Sequence, residues 1–147
     1  MEVIPSDFIN IPNASDEKLT GVTTGATELT VAGATFTAGG IKIGDIVYDT
    51  TNSVVAKVTA IVSDTELALD DGNGVVVNIG AGANFSIYSD TNKAAVLYIG
   101  VAGDLRIEMA YSGQELTFVA AANGYHPIQV IKVFSTGTAA SAIIALW

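Results

Sequence analysis

The stretch AAVLYIGVAGDLRIEMAYSGQELTFVAAANGYHPIQVIKVFSTGTAASAIIALW, Ala94–Trp147, decides the fold class. Leu105–Tyr111 alternates, with Leu105, Ile107 and Met109 on one face and Arg106, Glu108 and Ala110 on the other. That period of two belongs to a half-buried strand. Ser112-Gly113 makes a turn and Glu115–Val119 runs back. Asn123-Gly124 makes another, before Pro127–Phe134 sets Ile128, Val130 and Lys132 against Gln129, Ile131 and Val133. Ala94–Gly100 and Ala139–Trp147 are apolar runs of strand length at either end. Nowhere does an apolar stripe recur at helical spacing. The expectation is an all-β, antiparallel C-terminal core over 91–147, of β-sandwich or jelly-roll-like form.

Working upstream, residues 19–90 are rich in Thr, Gly, Asp and Val and read as a small inserted β-barrel or β-sandwich module. Glu28–Ala32, Ile46–Asp49, Val54–Ser63, Glu66–Asp70, Val75–Ile79 and Asn84–Ser89 are its expected strands. Val54–Ser63 is apolar on both faces, as a central strand would be. Asp71-Gly72-Asn73-Gly74 is the strongest hairpin signal in the chain, because Gly and Asn accept the positive φ of tight turns.

Residues 1–18, MEVIPSDFINIPNASDEK, form an extended arm belonging with the core. Pro5 and Pro12 each remove a ladder donor and hold the preceding residue extended. Val3, Ile4, Phe8, Ile9 and Ile11 are its apolar side chains and the candidate interface residues. They lie either on the chain's own sheet, as an edge strand, or on a neighbouring subunit.

Charge restricts the function classes. The chain of 147 residues is only 14% charged, where roughly 25% is ordinary. So little charge suits a surface partly covered by another subunit. The net charge of −9 is uneven. Residues 1–18 hold four acids and one base, 19–90 eight acids and two bases, and 91–147 three of each. Six scattered Lys and Arg form no basic patch, so nucleic acid is not an expected partner. There is no cysteine, hence no disulfide or thiolate metal site. The opening residues lack the basic region of a signal peptide. Gly72–Ser89, the longest uncharged run, is broken by Gly and Asn. The expectation is a soluble protein made in the cytoplasm, with no membrane partner.

No residue pattern specifies a reaction. His126, the one histidine, sits between Tyr125 and Pro127 and reads as structural rather than as a general base. Asp70, Asp71 and Asn73 resemble the start of a calcium loop, but position 81 is Ala where the closing Glu belongs. Most other acids fall at turns, where Asp hydrogen-bonds locally. The aromatic residues, Trp147 among them, fall mostly in apolar runs and are expected in the core. Neither enzyme activity, nor a cofactor, nor a metal site is expected.

The C-terminal stretch nevertheless resembles a family of tailed-phage virion proteins, the head spike base proteins also found in gene transfer agents. The residues that carry the likeness are Leu97-Tyr98-Ile99-Gly100, Gly103-Asp104-Leu105, Leu116-Thr117-Phe118, Pro127-Ile128-Gln129-Val130 with Lys132-Val133, Thr136-Gly137-Thr138-Ala139 and Ile143–Trp147. Ile4-Pro5-Ser6-Asp7 is similar to the family's N-terminal opening. The chain departs from the family where residues 19–90 separate the arm from the LYIG strand. The resemblance implies a capsid decoration, cement or spike-base protein, made in the host cytoplasm and residing on the virion surface. Its partners would be the major capsid protein and further copies of itself, as a trimer or a pentamer. A carbohydrate- or receptor-binding module of a tail fibre or adhesin, acting through Tyr48 or Tyr88, is the alternative.

Overall fold

The computed structural model describes residues 1–147 and is all-β, with two antiparallel sheets, one of them curled into a half-barrel. The chain divides into two compact units, Met1–Asn13 with Thr91–Trp147, and Ala14–Asp90. The boundary falls at Asn13 rather than after Lys18. A single 3-10 turn, Ala14–Asp16, leads into a strand at Glu17 that pairs within the inserted unit, so residues 14–18 leave the arm.

The inserted unit has six strands: β1 (Glu17–Val22), β2 (Leu29–Thr30), β3 (Ile46–Asp49), β4 (Val54–Ser63), β5 (Glu66–Asp70) and β6 (Asn84–Tyr88). Their order in the sheet is β1-β6-β3-β4-β5-β2. β4 is interior, as its two apolar faces predict. The expected strand at Glu28–Ala32 shrinks to Leu29–Thr30, and Val75–Ile79 makes only an isolated bridge from Val76 to Asp70. Leu29, Phe36, Val58, Leu67, Leu69, Phe85 and Ile87 build the core. Phe36 comes from a loop yet is completely buried. Its N–H donates to the Asp64 carbonyl (3.0 Å) and its own carbonyl accepts from Ile41 N–H (3.1 Å).

The second unit has five strands: β7 (Ala95–Val101), β8 (Gly103–Met109), β9 (Glu115–Ala121), β10 (Gly124–Val133) and β11 (Ser141–Leu146), ordered β11-β7-β10-β8-β9. Leu97, Ile99, Leu105, Ile107, Val130 and Ile143 point into one apolar core. β10 breaks the simple alternation. A register shift between Val130 and Lys132 puts both Val130 and Val133 inside, where a regular strand would turn one outward. Gly103, between β7 and the body of β8, allows the backbone of the β10–β11 loop to approach. A Cβ there would lie 2.6 Å from the Ala140 nitrogen and 2.7 Å from the Ala139 carbonyl carbon, too close for any side chain.

Candidate functional site

The arm lies against its own chain's sheet. Glu2 bridges Ile144 on the open edge of β11. The Met1 ammonium donates to the Ala145 carbonyl (3.0 Å), and Ala145 N–H donates back to the Met1 carbonyl (2.9 Å). Val3 N–H donates to the Ile143 carbonyl (2.8 Å). Farther along, Ser6 N–H and Ile11 N–H donate to the carbonyls of Val133 (2.9 Å) and Ile131 (2.7 Å). The bonds to Ala145 and Ile143 cover the β11 edge, which would otherwise expose a row of unpaired donors and acceptors, while those to Val133 and Ile131 tie the arm to β10.

This placement sorts the five candidate interface residues. Val3, Ile9 and Ile11 are buried, and Val3 and Ile11 join the core of the same unit. These three side chains are taken up by this chain's own fold. Ile4 is half-buried, and Phe8, 49% exposed, is the one that faces outward. The arm forms no strand of its own and touches the sheet through one isolated bridge at Glu2 and a few backbone hydrogen bonds.

Two polar residues that apolarity could not reveal hold the arm in place. The Ser6 hydroxyl accepts from Phe8 N–H (3.2 Å) and Ile9 N–H (3.1 Å), closing a local turn. The Asp7 carboxylate accepts from Thr136 N–H (2.9 Å) and from the Thr136 hydroxyl. Partial burial pulls the Asp7 pKa up, but the hydrogen bonds from Thr136 and Ser135 together outweigh it and hold the carboxyl below its ordinary value of 3.8. A depressed pKa stabilises the docked arm at pH above that ordinary value, and the contribution is lost as pH falls through the lowered one. The hydrogen-exchange protection factors of residues 3–11 should therefore fall on acidification below about pH 4. Asp7→Asn should show the lower protection already at neutral pH and lack the acid step. Identical profiles for the two proteins would remove Asp7 from this role.

The remaining candidates for chemistry have structural employment. His126 Nε2 lies 2.7 Å from the Ala122 carbonyl, and its ring packs at a tilt beside Phe118, 6.4 Å between centroids. Asp70 Oδ1 accepts from Gly72 N–H (2.8 Å), and Asp71 Oδ1 accepts from Asn73 N–H (2.8 Å) and Val75 N–H (3.1 Å). Both carboxylates thus shape the hairpin turn, in which Gly72 and Gly74 have φ of 88°. Asp49, buried, accepts from the N–H groups of Thr51 (2.9 Å) and Asn52 (3.0 Å) and from the Asn52 side-chain amide (2.7 Å). No three His, Asp or Glu side chains gather as a metal site would require.

In the inserted unit a polar cleft of about 400 Å³ is lined by Lys18, Lys42, Asp45, Lys57 and Asp90. Asp45 takes Lys18 Nζ on both oxygens (2.8 and 2.7 Å) and also Lys42 N–H (2.8 Å), while Lys57 Nζ donates to Asp90 (3.0 Å). Lys18 donates again to the Gly40 carbonyl (3.0 Å). Lys18 and Asp45 thus satisfy each other as a largely buried pair.

The exposed aromatic groups lie in the other unit. Tyr48 and Tyr88 are buried and meet edge to face, so a sugar platform on the inserted module loses its rings. Tyr98 and Tyr125 are cross-strand partners on the outer face of β7 and β10, edge to face at 5.5 Å, with Ile144 opposite Tyr98 on the other side. Beside them a cleft of about 500 Å³ is lined by Val96, Met109, Tyr111, Pro127 and Ile128. Tyr111 is 91% exposed at φ 67°, a backbone region that bulky residues rarely occupy. Trp147, expected in the core, is 46% exposed instead, one residue beyond the end of β11.

No helix is long and apolar enough to cross a membrane. Set against models of protein families, curated proteins and solved structures, the chain matches none.

Proposed function

We propose that this chain is a structural protein of a tailed-phage virion, which decorates or cements the capsid by binding the major capsid protein as a symmetric oligomer. The observation that carries the reading is the uncovered outer face of the C-terminal sheet. Tyr98, Tyr125, Ile144 and the cleft beside Tyr111 set aromatic and aliphatic groups side by side, on a segment whose acids and bases balance. Aromatic groups set beside aliphatic ones are what the centre of a protein interface is made of. The same stretch holds the residues that resemble head spike base proteins. Chemistry plays no part in this role. Adhesion by area and shape suffices.

The test is binding to empty capsid shells by the full chain and by Tyr98→Ser/Tyr125→Ser. Both rings lie at the surface, so the variant should stay folded with only the modest loss of a cross-strand ring pair. Capsid-bound protein should fall at least about tenfold, as loss of two interface aromatics implies. A wild-type chain that ignores shells sinks the proposal. Undiminished binding by the variant moves the contact away from this face.

A further inference from the structure

The two sheets have four edges, and three of them are blunted. β11 is covered by Met1–Val3 of the arm. β2 is only two residues long. β1 carries Glu17 and Lys18 and a register irregularity between Glu17 and Leu19. Short length, charge and bulges are the devices by which sheet edges avoid pairing with other chains. β9 carries a charge only at its first residue, Glu115, and an irregularity only at its far end, with neither at Leu116–Phe118 between them. It is the terminal strand of its sheet, and Leu116–Ala121, LTFVAA, contains no charge and no proline. Its pairing with β8 is regular from Glu115 to Phe118, and its irregularity is confined to the far end, where Ala120 has φ 51°. Thr117 is exposed on it and Val119 is 80% exposed.

We propose that β9 is a self-association edge, pairing antiparallel with β9 of a second copy about a two-fold axis. An open edge needs another open edge, and the only one this chain offers is β9 itself. Charge permits the pairing. Centred near Thr117, an antiparallel pair sets Glu115 of each copy opposite Val119 of the other, so no like charges face each other. Glu115 is moreover already held by Arg106 at 2.7 Å. A strand that pairs with its own copy makes an isologous contact, which closes at two subunits and does not propagate. The contact is distinct from the Tyr98–Tyr125 face and stands whether or not that face meets a capsid.

The experiment compares the full chain with Thr117→Glu/Val119→Glu, whose substituted side chains are exposed and should leave the melting temperature unchanged. Two readouts are taken over a range of concentration: mass by sedimentation, and hydrogen exchange of β9 amides. The wild type should double its mass with concentration while Leu116–Val119 amides become protected. The variant should associate at least about tenfold more weakly, since the introduced carboxylates face each other at 117 and face Glu115 from 119, and like charges across the pair repel. Wild-type β9 amides that exchange equally fast at every concentration overturn the proposal, even if the protein oligomerises by another surface. So does a variant that assembles as the wild type does.

Discussion

Removal of residues 1–12 is expected to unfold the C-terminal unit while leaving the inserted unit intact. Val3, Ile9 and Ile11 are at most 6% exposed, and burying each such side chain stabilises by about 1.5–3 kcal/mol. Their summed loss is comparable with the roughly 5–15 kcal/mol that holds a whole domain together. The deletion also strips the hydrogen bonds at Ala145, Ile143, Val133 and Ile131, and so leaves the β11 edge open. The inserted unit has its own core, to which no arm residue contributes. In an NMR spectrum of the truncated chain, amide signals of residues 91–147 should collapse to unfolded positions while those of 14–90 stay dispersed. A fully dispersed spectrum would make the arm a dispensable strap.

Phe36→Ala should produce the complementary result. The ring is fully buried among Leu29, Leu67, Leu69 and Phe85, and truncating such a phenylalanine costs about 3–5 kcal/mol through lost transfer energy and the cavity left behind. For a unit of this size that lowers the melting temperature by roughly 10 °C or more. Ile43→Ala, 70% exposed in the following loop, is the control, with an expected change within about 0.5 kcal/mol. Calorimetry should show the loss in the transition of residues 14–90. Equal melting of the two variants would mean that the Phe36 loop opens without cost.

Much of the architecture was legible from local pattern. β3, β4 and β5 begin and end where alternation and turn residues put them, because each is a hairpin neighbour of the next and local turn chemistry sets their register. β1 escaped notice. Glu17, Lys18 and Gly21 give it no apolar period, and it exists because β6 offers it a partner 70 residues or so downstream. The bulge in β10 escaped for the same reason. An inserted residue changes which side chains face inward without changing composition. At the candidate site, apolarity picked out Val3, Ile9 and Ile11, which are buried, along with Phe8, which is exposed, and could not say what would cover them. A strand edge accepts a segment of its own chain or of another on equal terms, and only tertiary structure chooses. Asp7 and Thr136, 129 positions apart, left no mark in the sequence that pointed from one to the other.

The docking of residues 1–3 on β11 joins the first residues of the chain to nearly the last, with Met1 bonded to Ala145 across a separation of 144. During synthesis the arm therefore emerges with its apolar side chains and has no sheet to lie on until β11 has left the ribosome. At about 5–20 residues per second that wait lasts roughly 7–30 s. The inserted unit, whose strands are all made first, is free to fold in that interval and to shorten the loop that the closing contact must span. Because Glu17 pairs with Tyr88, the folded inserted unit, Ala14–Asp90, holds its own first and last strands side by side.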